Sequence, residues 1–105
     1  DFYMLGWGVP TLDSHYVFAY LLDAAGSWNA AGYDNARVNE LTTAMATEID
    51  LDKRTAMINE AWTLVQADMP YVPIHHQVLA WGLASSVDIP IAADDAFRPR
   101  YAVMQ

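Results

Sequence analysis

Cysteine is absent from this sequence, so its stability needs no disulfide and the chain tolerates either redox compartment. Basic residues are nearly as scarce. Only 5 Lys and Arg stand against 13 Asp and Glu, and the resulting net charge of −8 repels nucleic-acid phosphates and anionic membrane surfaces. Nucleic acid is therefore not an expected ligand. Long apolar runs are missing too: none approaches the ~20 residues of a membrane span. Residues 1–7 lack the basic start and apolar centre of a signal peptide. The chain begins abruptly inside a strand-like pattern, which suits a boundary within a longer protein better than a natural start. Charge of either sign is sparse at 17%, so some apolar surface is expected to meet a partner or further sequence.

What is present is apolar and aromatic. With 105 residues, 54% hydrophobic content, 4 Trp, 6 Tyr and 3 Phe, residues 1–105 suffice for one domain with a modest core and are too rich in apolar side chains for a disordered chain. Residues 2–7 read as a short buried strand, apolar on both faces. Gly6, Gly8 and Pro10 then punctuate a turn. Asp13 or Ser14 is placed to cap a first helix through Tyr16, Val17, Tyr20 and Leu21. Residues 24–32 are small and polar apart from Trp28, a loop able to move or to carry contacts.

Asp34 or Asn35 caps a second helix, whose Val38, Leu41, Met45 and Ile49 form one apolar stripe opposite Arg37, Glu40 and Thr47. Asp50 caps a third, with Asp52 in its first turn. Ile58, Trp62, Val65 and Met69 make its buried row, flanked by Met57, Ala61 and Leu64, and Pro70 is the stop. Residues 71–81 alternate with period two, and Pro73 places them at a sheet edge or a strand start. Residues 87–91 and 101–104 read as short strands around the acidic turn Asp94-Asp95. The fold class expected is mixed α+β, with about three helices and short strands.

Several short patterns occur in a fixed order: Gly6-Trp7; Asp13; Asn29 through Tyr33, Asn35, Val38 and Leu41; Asp50 and Arg54 at a helix start; and Asp68, Pro70, Pro73 and Ile74 at a helix exit. Together they resemble the C-terminal lobe of bacterial extracellular solute-binding proteins of the peptide-, oligopeptide- and nickel-binding type, over about residues 1–81. The resemblance implies a fragment of a two-lobed periplasmic-binding-protein-like fold that closes over a solute and delivers it to an ABC-type importer. The implied partners are a small-molecule or short-peptide solute, the remaining lobe and the membrane permease subunits, in the periplasm. It also implies that Trp7 and Gly8 match positions that pair with an extended ligand. Pro10 stands where peptide-binding relatives carry an aspartate for the ligand α-ammonium, and Met4 where some carry a basic residue. Both departures argue against a zwitterionic peptide, and the solute itself is not legible.

The candidate ligand-binding residues are thus Trp7, Gly8, Asp13 and His15, each with a plainer reading beside it. Trp7 is a stacking wall or a core residue at a strand end. Asp13 reaches the cleft or caps the helix, and His15 lines the cleft mouth or lies in solvent. His75-His76 would point to opposite faces of a strand and so would not share one ion; His76 is read as structural, and neither metal nor cofactor is expected. Asp50/Asp52 and Asp94/Asp95 are explained by a helix start and a turn, and no nucleophile, phosphate-cradle or metal-protease motif is present. The chain is read as a non-enzyme. The alternative from another class is a free-standing acidic domain that binds a protein partner.

Overall fold

The computed structural model describes residues 3–92 and 96–104. Helix α1, Ser14–Val17, opens where Asp13 leaves an extended conformation and its carboxylate accepts the His15 N–H at 2.8 Å, so Asp13 rather than Ser14 is the cap. The helix then widens into a π turn over Phe18–Leu22, in which the Asp23 N–H reaches back to the Phe18 carbonyl at 2.8 Å. Widening leaves the Tyr20 carbonyl to the Trp28 N–H, 3.0 Å away, so the following loop folds over the helix end. That approach needs glycine at Gly26, where a Cβ would lie 2.6 Å from the Tyr20 oxygen.

Residues 24–32 are pinned. The Asn29 side chain donates to the Asp23 and Tyr33 carbonyls at 3.1 and 2.7 Å and accepts the Tyr33 N–H at 3.0 Å. Helix α2, Ala36–Met45, is capped by Asn35, which accepts the Arg37 and Val38 N–H groups and so settles the choice against Asp34. Helix α3, Leu51–Asp68, is capped by Asp50 through the Asp52 and Lys53 N–H groups. It closes with Met69 in the left-handed region, φ 47°, its N–H on the Val65 carbonyl, and Pro70 prevents continuation.

Phe18, Leu21 and Leu22 of the π turn, Val38, Leu41 and Met45 of α2, and Ala61 and Val65 of α3 form the core. The Phe18 and Trp62 rings meet at 4.7 Å, and Phe18, Val38 and Met45 are sealed completely, each worth about 1.5–3 kcal/mol of burial. Two expected core residues lie elsewhere. Ile49 is 93% exposed because α2 ends at Met45, so the helical period no longer carries its side chain inward. Met69 is 52% exposed because the left-handed cap turns it off the buried row.

The β structure is slight. Strands β1, Val87–Asp88, and β2, Val103–Met104, pair antiparallel with Val87 opposite Met104, and a 3₁₀ turn, Pro99–Tyr101, precedes β2. The architecture is thus mixed α/β, with three helices and a small two-stranded sheet among the described residues. The expected turn Asp94-Asp95 and the expected strand residue Phe2 lie outside the described residues. Residues 3–7 and 71–81 form no strand, since an edge without a partner has no ladder to join, and every residue in 72–80 is exposed. The radius of gyration is 17.5 Å, against about 13 Å for a compact chain of this length.

Candidate functional site

The loop carrying the candidate residues turns tightly. The Val9 carbonyl accepts the Leu12 N–H at 3.0 Å, Pro10 supplies the fixed φ such a turn favours, and Leu12 follows at φ 55°, a left-handed conformation for a branched side chain. Trp7 enters this turn half-buried, packed on the helical core. Its ring meets Tyr16 at 5.8 Å and Trp28 edge-on at 6.0 Å, and Tyr16 stacks obliquely on Tyr20 at 4.6 Å. The result is a row of four rings whose outer members, Trp28 and Tyr20, present open faces. The Trp7 indole N–H is buried and meets no hydrogen-bond acceptor among the described residues. Gly8 lies exposed with nothing within 4 Å of where a Cβ would stand.

Asp13 is fully engaged. Its two oxygens take Arg54 Nη1 and Nη2 at 2.8 and 2.9 Å in a bidentate pair, and Oδ1 also accepts the His15 N–H. The Arg54 hydrogen bonds, aided by the His15 N–H, hold the Asp13 carboxyl below the usual carboxylate range. Arg54 is raised in turn, chiefly by Asp13, and its Nε donates to the Met45 carbonyl at 3.0 Å, a last-turn α2 carbonyl. One guanidinium therefore ties the candidate loop, the end of α2 and the start of α3. His15 is half-buried in the first turn of α1.

A second knot sits at the other end of the α2–α3 pair. Asp68 accepts the Tyr33 hydroxyl at 2.7 Å and the Asn35 amide at 2.8 Å, and these two bonds lower its pKa. Burial, then the bond to Asp68, pushes the Tyr33 hydroxyl up to about 12. Between the knots Arg37 holds Glu60 in a bidentate pair at 2.7 and 3.1 Å and Glu40 at 2.9 Å, in solvent where such pairs contribute little. Tyr3 crosses to Tyr71 through a hydroxyl contact of 2.9 Å with the rings edge-on.

The structure thus gathers Trp7, Gly8 and Asp13 on one loop, with His15 directly after it, and commits Asp13 to Arg54. The residues sequence reasoning passed over are Tyr16, Tyr20 and Trp28. Trp28 was the one large side chain in an otherwise small loop, and Tyr16 and Tyr20 recur at helical spacing; that was the available signal. His75 and His76 are exposed, and no group of three potential metal-ligating side chains exists among the described residues. Among the described residues no helix is long and apolar enough to cross a membrane. Comparison with protein-family models, curated proteins and solved structures finds no match.

Proposed function

We propose that the chain forms part of the C-terminal lobe of a solute-binding protein serving an ABC-type importer. In that role the loop with Trp7 and Gly8 supplies one wall of a ligand cleft, and His15 lies at its mouth. The observation that carries the reading is that the ordered motif residues are partners of one another: Asp13 binds Arg54, Asn29 binds Tyr33, and Tyr33 and Asn35 bind Asp68. A pattern whose letters meet in space is a scaffold. Partners in this reading are a solute, the remaining lobe and permease subunits, and the compartment is the periplasm.

The geometry refines the role of Asp13. With both oxygens on Arg54 it positions the loop, and Pro10 has neither charge nor N–H. The wall therefore offers aromatic faces and backbone rather than a free carboxylate, which favours a solute without an α-ammonium group. The test is tryptophan fluorescence and calorimetry on a polypeptide carrying both lobes, with short peptides, their N-acetylated forms and neutral sugars as probes. Saturable binding that Trp7→Ala weakens at least about tenfold, the scale of one lost aromatic contact, is expected. The 105-residue chain alone is expected to bind none of these tightly, with half the cleft missing. Absence of any saturable response in the two-lobed protein counts against the reading. A free-standing interaction domain is the second reading, favoured by the exposed apolar side chains of 72–83.

A further inference from the structure

Residues 72–80 are exposed throughout and take no part in the helical core. Tyr71 is fastened to Tyr3 and Trp81 stacks on Phe97 at 5.8 Å, so both ends of the interval are held, while between them no backbone hydrogen bond is made among the described residues. Val72, Ile74 and Val78 are exposed by two-thirds or more. The sequence here is uncharged from Met69 to Val87, although the chain as a whole carries −8. Edges of β structure are ordinarily guarded by lysine, proline, inward charge or a bulge; this interval carries no charge, and its one proline, Pro73, stands near its start.

Its chemistry is symmetrical about His76. Reading outward, Ile74 matches Val78 and Val72 matches Ala80, all apolar; on the alternate positions His75 matches Gln77, both polar, and Pro73 matches Leu79. An antiparallel strand that meets its own copy across a two-fold axis sets residue i opposite 152 − i when the axis passes through residue 76. In that register every apolar residue faces an apolar one and every polar residue a polar one. Pro73 fixes the phase. Having no N–H, it must occupy a non-hydrogen-bonded position, which makes the pairs at 76–76, 74–78 and 72–80 the hydrogen-bonded ones.

We propose that residues 72–80 are a self-recognition edge that pairs with a second copy of this chain in two-fold antiparallel register centred on His76. Acidic copies repel one another elsewhere, and this is where they approach without opposed carboxylates. The interface is small and the association correspondingly weak. The inference does not rest on the importer reading, which solute binding tests separately.

Because the chain has no cysteine, single cysteines report the register cleanly. A hydrogen-bonded antiparallel pair holds Cα atoms about 5.5 Å apart, within disulfide reach. Under diamide, His76→Cys is expected to cross-link to itself at least about tenfold faster than Ile49→Cys, a likewise exposed position outside the edge. Val72→Cys alone should not cross-link above that reference, whereas a mixture with Ala80→Cys should. Sedimentation of the unmodified 105-residue chain should shift toward twice the monomer mass between about 10 µM and 1 mM, as befits a small interface, and Ile74→Pro should abolish the shift. Equal cross-linking at positions 49 and 76, or a monomer throughout that range, overturns the proposal and assigns the edge to another occupant.

Discussion

Asp13 serves two masters, and the two contributions separate by substitution. Asparagine caps a helix about as well as aspartate, so Asp13→Asn should lose the Arg54 ion pair alone, whereas Asp13→Ala should lose the cap as well, a further ~0.5–2 kcal/mol measurable by urea denaturation. Equal effects of the two variants would show that the cap carries nothing. Asp13 and Asp68 are both held below their ordinary range, by Arg54 and by Tyr33 with Asn35 respectively. The folded chain thus binds fewer protons than the unfolded one at these sites. Their stabilisation is complete above the ordinary aspartate range, about pH 4, and fades as acid takes pH down through the lowered values. Thermal melts should fall between pH 5 and pH 2, on the scale of ordinary aspartate titration, and the Asp13→Asn, Asp68→Asn double variant should flatten that dependence.

Elements were legible in the sequence wherever a local signal decided them. The cap at Asp50 and Pro70's stop need only their own turns, and α3 stands between them as expected. Asp13 against Ser14 and Asn35 against Asp34 were open because either side chain has the right chemistry; backbone direction decided. The π turn has no local signature in the sequence, and the loop folded over it depends on Gly26 for its approach to the Tyr20 carbonyl. Ile49 was misplaced by extending the α2 period past the helix end. At the site, Trp7, Gly8 and Asp13 were identified by pattern, but that Asp13 faces Arg54, 41 positions away, is a tertiary fact that spacing does not contain. Gly26→Ala is expected to cost about 1–3 kcal/mol, since the clash is with backbone atoms that have nowhere to go. A melting temperature unchanged from that of the parent would remove the close approach from the account. Met69→Gly should instead stabilise by about 0.5 kcal/mol, relieving a left-handed methionine at the α3 end.

At the scale of the whole molecule, stability is unevenly distributed. The helical core from Phe18 to Val65 is closed by packing and side-chain knots, while residues 72–80 have neither. Amide hydrogen exchange at low micromolar concentration should show the centres of α2 and α3 protected together, and 72–80 exchanging near the free-peptide rate. Protection of 72–80 equal to that of α3 under dilute conditions would contradict this division. The excess radius of gyration has the same origin: the chain builds its helical core and leaves Val72, Ile74, Val78 and Leu79 outside it.

The two knots also have a mechanical consequence. Arg54 grips the Met45 end of α2 while Asp68 grips the Tyr33 and Asn35 end, so α3 is bolted to α2 at both extremities. Sliding one helix along the other by a turn, about 5.4 Å, would shear both bolts in the same movement. A load applied at the Trp7 loop therefore passes through Asp13 to Arg54, and from that one guanidinium to the end of α2 and the start of α3 alike.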